Sequence, residues 1–449
     1  MQEDHQRIQK DILDKLKDTL ETTTSQLERV ISDSHSEDIN APLEAKRLKY
    51  VFKKEKLEKS VSDLESWQRI FDPTWFLIMT VASPIVDQKL ETAKYQDGNG
   101  IVGNSAHTSV AAARLRSARE QHPNPSGIFK SAENLNQSAI FKIPASTVLT
   151  GQRNDTGQCV ILDPTPQIQH EAELPALSKR VRDLARKLMN ADPDEFGLLL
   201  CKGVIKNKDP YVDSVVGFTF VFEVPIGFSQ PRSLKGLIAE STHHHSLSRR
   251  LKIAKDLARS INYLHMFGYV HKNIRPANII VFKDQESDMG TAFLVGFEDV
   301  RPEDGRSQTG GDDDLEKNIY RHPSRQGIQP RSYYVVQHDI YSLGVCLLEI
   351  GLWRPLKGIL EGISPRMFGE SSDEPDRPSV KSRLLYHARE ILPSYMGSNY
   401  AKIIETCLTC LDPGNQNFGD ETALQDEDGI MVGVRYIEKI LEKLEMINI

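Results

Sequence analysis

Long apolar runs are missing from this sequence of 449 residues. None approaches the roughly 18 residues that a membrane-spanning helix needs. Residues 75–82 are apolar but far too short. The opening Met-Gln-Glu-Asp-His lacks a signal-peptide pattern. Cysteine is sparse: Cys159, Cys201, Cys346, Cys407 and Cys410 are odd in number and scattered, which argues for a reducing, cytoplasmic setting. The single C-x-x-C, Cys407 to Cys410, has no second pair to complete a zinc site and sits in an amphipathic helical pattern, so it reads as core. The run His243 to His245 has only Glu240 nearby and reads as a solvated loop. Excess positive charge is also missing. The net charge of −7 gives no global pull toward nucleic acid. No repeat of 20–50 residues is visible.

The N-terminal quarter has helical periodicity instead. Leu13, Leu16, Leu20, Thr23, Leu27 and Val30 follow a 3-4 spacing across residues 5–31. Asn40 can cap a second helix with Pro42 in its first turn. In it Leu43, Tyr50, Leu57, Leu64 and Phe71 recur every seven residues. Two such helices across a short polar loop predict an antiparallel hairpin over residues 1–86. Its basic cluster, Lys46, Arg47, Lys49, Lys53, Lys54, Lys56 and Lys59, suits either a solvated face or an anionic membrane surface. The solvated face is the better reading. Residues 87–139 are turn-rich and read as a connector.

From about residue 140 the pattern changes. Short apolar runs at 159–162, 197–204 and 216–224 enclose a helical stretch at 174–189. A long helix at 247–267 follows, then apolar runs at 278–282 and 292–297, then helices. A few strands followed mostly by helices is an α+β order.

Three segments carry a resemblance. Residues 261–280 contain Tyr-Val-His-Lys-Asn-Ile-Arg-Pro-Ala-Asn at 269–278, Asp339 opens Asp-Ile-Tyr-Ser-Leu-Gly-Val-Cys-Leu-Leu-Glu-Ile, and residues 220–225 read Phe-Val-Phe-Glu-Val-Pro. In that order they resemble the catalytic loop, the buried helix beneath it and the hinge strand of the protein kinase fold. The resemblance implies a bilobal domain over 140–449, with an N-lobe at 140–225 and a C-lobe at 226–449. It also implies that Asp339 holds the catalytic-loop backbone, that His271 packs the loop, and that Asn278 is a metal-ligand position. Arg275 stands where lysine is usual and keeps the charge.

The chemistry of the resemblance fails at other positions. Asn273 stands where a kinase has its catalytic Asp, and an amide cannot accept the substrate proton. Gly296-Phe297-Glu298 stands where an Asp-Phe-Gly would hold Mg²⁺, with Glu298 expected to point elsewhere. Asp163 replaces the strand lysine that meets the phosphates, residues 174–189 lack the partner Glu, and residues 150–157 lack the glycine-rich spacing. His322-Pro323-Ser324 lacks the carboxylate of Ala-Pro-Glu. These losses imply a pseudokinase signalling or scaffold protein that is no enzyme and takes neither ATP nor Mg²⁺. An active serine/threonine kinase with atypical ATP and metal handling is the alternative, and a membrane-acting effector governed by the pseudokinase is a third.

Lys46 to Lys59, Leu64-Glu-Ser-Trp67, Phe71 to Leu77 and Gly127-Ile-Phe129 resemble fungal proteins that join a HeLo-like (prion-inhibition-and-propagation) helical region to a degenerate kinase domain. Such regions usually carry further apolar helices first, and this sequence starts at Met1 without them, which implies a short form. The hairpin is expected to self-associate or to bind another helical protein through residues 5–71. Pairing of its two seams leaves Leu48, Val51 and Phe52 uncovered. Replacing all three with Ser is expected to abolish association in analytical ultracentrifugation of the intact chain. A wild type that is monomeric at tens of micromolar would refute that interface.

Overall fold

A computed structural model of the chain describes residues 127–447, apart from 169, 210, 241–244, 285–288, 303–310, 361–378, 416, 419–432 and 434. The expected hairpin and its basic cluster lie outside the described residues. So does most of the connector. Its last part does not: Phe129–Lys130 forms a strand, and Leu135 is buried in a small apolar cluster with Val160, Leu162, Ile205 and Val221. The expected connector over 87–139 therefore ends too late. A two-residue strand offers no alternation to read.

The first sheet has six strands: β1 (Phe129–Lys130), β2 (Phe141–Lys142), β3 (Leu149–Gln152), β4 (Cys159–Pro164), β5 (Cys201–Lys208) and β6 (Val215–Glu223). Their order is β1-β5-β6-β4-β3-β2, with β1 parallel to β5 and the other pairs antiparallel. Val160, Ile161 and Leu162 are all buried in β4 and Phe220, Val221 and Phe222 in β6, so these central strands are covered on both faces. Helix α1 (Leu174–Leu188) packs on β5 through Val181, Leu184, Ala185 and Leu188. Its basic residues Lys179, Arg180 and Arg182 fall on the other side of the helix, as a 3.6-residue period requires.

After β6 the chain turns at Pro225, whose carbonyl accepts from Phe228 N at 3.2 Å. The second lobe is mainly helical, so the domain is α+β with a sheet-rich lobe and a helical one. It contains β7 (Ser229–Ser233), β8 (Tyr269–Val270), β9 (Ile279–Lys283), β10 (Ala292–Leu294) and β11 (Arg301–Pro302), paired as β10-β9-β7 and β11-β8. Its main helices are α2 (Leu234–Ala239), α3 (Leu247–Met266), α4 (Val336–Leu352) and α5 (Ser398–Leu408). His245 packs edge-on against Trp353, with ring centroids 5.1 Å apart, instead of standing in a solvated loop.

Every residue of α4 is buried, and the helix is apolar around most of its circumference. It packs on α3 and α5. Tyr400 Oη donates to Leu347 O at 2.9 Å across the α4–α5 contact. Cys407 and Cys410 are buried there as free thiols, with Cys410 Sγ 3.2 Å from Gln337 O. Among the described residues no group of three metal-ligating side chains converges, and no helix is long and apolar enough to cross a membrane.

Gly344 lets α5 approach α4, because a Cβ there would stand 2.5 Å from Cys407 Cβ. Gly344→Ala is expected to destabilise the domain by about 1–3 kcal/mol through overpacking. That loss exceeds the roughly 0.5–1 kcal/mol that Ala gains over Gly inside a helix. The check is the urea midpoint at unchanged slope. An unchanged or raised midpoint would show that α5 yields freely.

Candidate active site

The site is built on the loop between β8 and β9. Asp339, in the first turn of α4 and wholly buried, grips that loop. Its Oδ2 accepts from His271 N at 2.7 Å and its Oδ1 from Lys272 N at 3.0 Å. Tyr334 Oη donates to Oδ1 at 2.5 Å, and His265 Nε2 lies 3.0 Å from Oδ2. Burial alone would raise this carboxyl, but the hydrogen bond and charge of His265 and the Tyr334 bond help to hold it below its ordinary range. Lys272 takes a left-handed φ of 67°, a conformation that costs a non-glycine residue energy and so needs the Asp339 grip. His271 is buried and donates from Nε2 to Val295 O at 3.1 Å. Its Nδ1 accepts from Asn273 N at 3.3 Å.

Asn273 is joined to two neighbours. Its carbonyl accepts from Asn278 Nδ2 at 2.9 Å, and its Nδ2 donates to Glu298 Oε1 at 2.6 Å. Glu298 was expected to point away from the site, and the structure corrects this. Gly296 is left-handed, with φ of 84°, and leads into a 3-10 turn at Phe297–Asp299. That turn brings the Glu298 carboxylate back to the loop. Lys317 Nζ, from the segment after residue 310, lies 3.8 Å from Oε1.

Gly296 itself has no room for a side chain. A Cβ would fall 2.4 Å from Asn278 Cγ. From the other side Asp163 closes on the same backbone: its Oδ2 accepts from Gly296 N at 2.8 Å and from Phe297 N at 3.0 Å. Asp163 is only 2% exposed. Burial pushes its carboxyl up to about 6, against the two N–H donors and with a further upward push from the charge of Glu298. Phe297 packs on Phe222 and on His271, with centroids 5.6 Å and 5.4 Å away.

Arg275 is buried and its Nε has no hydrogen-bond partner. It lines a cavity of about 150 Å³ with Lys235, Glu316, Tyr320 and Glu349. The turn between β3 and β4 is closed by an Arg153–Asp155 ion pair. The structure brings Asn273, Gly296, Asp163, His271, Asn278 and Asp339 together around one loop, while Arg275 lines the cavity beside Glu316 and Glu349. Glu298 and Lys317 join the loop as well, which the sequence pattern did not suggest. The available signal was a carboxylate two residues after the one that is lost.

Residues 224–359 match the family described as protein tyrosine and serine/threonine kinase. The chain carries a protein kinase-like domain. A segment of 60 residues is 43% identical to a probable LRR receptor-like serine/threonine-protein kinase of Arabidopsis thaliana, covering 13% of this chain and 8% of that protein. A protein kinase and PP2C-like domain-containing protein of Oryza sativa subsp. japonica is 31% identical over 135 residues, covering 27% of this chain and 20% of that protein. The serine/threonine-protein kinase Kist of Rattus norvegicus is 29% identical over 123 residues, covering 26% of this chain and 28% of its own length. The chain therefore spans under a third of each of these relatives.

These matches correct two expectations. The domain and the relatives named as serine/threonine kinases point to a kinase enzyme, not to a non-enzyme. The expectation of no ATP and no Mg²⁺ falls with it, since kinases of this fold use both. One feature of the site fits a hard cation: Asn278 Oδ1 is a buried oxygen without a hydrogen-bond partner. Asn278 would supply that ligand, and the cation would offset charge on a phosphoryl group.

The raised carboxyl of Asp163 has a pH consequence. Its folded value, about 6, exceeds the ordinary 3.8, so the folded state holds the proton longer than the unfolded chain. The contribution to stability therefore falls as pH rises from about 4 through about 6. Asp163→Asn is expected to remove this component, worth roughly 3 kcal/mol at most. Urea unfolding of both proteins at pH 4 and pH 7 measures it. A wild-type-minus-variant difference that is flat, or that grows with pH, would refute the assignment.

Proposed function

We propose that this chain is an atypical serine/threonine protein kinase acting in signalling, with its N-terminal helical region serving as an assembly module. The observation that carries the reading is the grip of Asp339 on His271 N and Lys272 N. A buried carboxylate that fixes two loop amides holds the loop in one conformation, which phosphoryl transfer requires because its catalysis is largely positioning and electrostatics. The relatives named as serine/threonine kinases support the same reading. Arg275 adds a buried cation on that loop, able to stabilise charge developing on a phosphoryl group.

The test uses the full chain with γ-labelled ATP, Mg²⁺ or Mn²⁺, and a mixed Ser, Thr and Tyr peptide pool. Label is expected on Ser and Thr. Arg275→Ala is expected to lower the rate by about 100-fold or more while the melting temperature shows the variant folded. No transfer with either metal would overturn the reading and leave a kinase-fold scaffold.

A further inference from the structure

The geometry points to Glu298 as the general base of this site, in the place of the carboxylate that position 273 has given up. The inference rests on the phosphoryl-transfer reading above. Asn273 and Glu298 are complementary in their hydrogen bond: an amide N–H₂ donates and a carboxylate accepts, at 2.6 Å. A carboxylate at both positions would place two like charges at that distance, and both could not ionise together. An amide at both would place no base beside the loop. The observed pair leaves one carboxylate on the catalytic loop, carried by a neighbouring segment.

Three features suit Glu298 to the role. Its carboxylate is oriented by Asn273, which is itself fixed through its carbonyl to Asn278. It is shielded without being sealed, with 12% of its side chain exposed. Lys317 Nζ at 3.8 Å offsets the repulsion from Asp163, whose own carboxyl feels the Glu298 charge. Of the two acids, Asp163 is 2% exposed and spent on two backbone N–H groups, whereas Glu298 keeps 12% of its side chain exposed at the loop.

In the step, the substrate O–H bond breaks and its proton passes to a Glu298 oxygen. The hydroxyl oxygen forms a bond to the γ-phosphorus of ATP. The bond from that phosphorus to the β–γ bridging oxygen breaks, and ADP leaves with the electron pair. Glu298 ends protonated and returns its proton to water.

The experiment compares wild type, Glu298→Gln, Asn273→Asp and the double variant Asn273→Asp with Glu298→Gln. Each is checked for folding by its melting temperature and assayed across pH with labelled ATP, metal and a Ser/Thr peptide. Glu298→Gln is expected to lower kcat/KM by at least about 100-fold and to remove its acid limb. The double variant, which exchanges acid and amide across the same hydrogen bond, is expected to recover most of the loss. Asn273→Asp alone is expected to shift the acid limb upward, as two carboxylates share a proton. An active wild type with an equally active Glu298→Gln overturns the role of Glu298 and leaves the kinase reading standing. A folded double variant without recovery also overturns it. A wild type without transfer overturns the kinase reading and this inference with it.

Discussion

The carboxylate of Asp339 is the constraint on which the site depends. It is charged and wholly buried, a costly state unless every lone pair is used. Two backbone N–H groups, a tyrosine hydroxyl and a histidine ring use them. The partners come from α3, from the loop before α4 and from the catalytic loop itself. One side chain therefore ties the start of α4 to the end of α3 and the loop just after it, about 70 residues earlier in the sequence. The strained φ of Lys272 follows from it, and so does the path of Asn273, because the loop must turn sharply to bring both amides to one carboxylate. Replacing this grip by apolar packing would leave two buried amides unpaired, and each such group costs about 1–3 kcal/mol.

Around this fixed loop, side chains that the resemblance assigns to particular positions have changed places. The carboxylate missing at 273 has a counterpart at Glu298, within hydrogen-bond reach of the same residue. The carboxylate missing at 296 has a neighbour in Asp163, bonded to the backbone of 296 and 297. Steric room explains the second change. With Asn278 packed over Gly296 there is no space for a side chain, so an acid can approach that backbone only from the sheet.

The scaffold was legible in the sequence because its signals are local. The spacing from His271 to Asn278 lies within one loop, and Asp339 opens a run of residues apolar enough to read as a buried helix. The order of strands and helices followed from apolar runs and their periods. Glu298 was not legible, since its direction depends on one left-handed residue and a single 3-10 turn, neither of which leaves a periodic trace. Strand β1 was missed for a similar reason: two residues carry no alternation, and its partner β5 lies more than seventy residues onward. The inference of no enzyme and no nucleotide had a different fault. It weighed single lost positions, whereas the match of residues 224–359 to the kinase family and the relatives named as kinases weigh the domain as a whole.

Asp163 adds a further consequence, because it stands on the sheet while its hydrogen-bond donors stand on the helical lobe. Ser146 Oγ donates to Ala277 O at 2.6 Å across the same divide, and Ser233 Oγ donates to Pro144 O at 2.5 Å. Phe220 and Phe222 of β6 close on Phe297 beside them. Any separation of the lobes exposes Phe297 and takes from Asp163 its two N–H donors. Charge state sets the cost of that movement. Separation also returns the carboxyl to water and lifts the desolvation that raises it. The two donors offset only part of that desolvation in the closed state. Ionisation therefore favours the separated lobes, and the junction loosens as pH rises through the Asp163 titration, in the same direction as the stability of the folded domain, because both follow from the desolvation of one carboxyl.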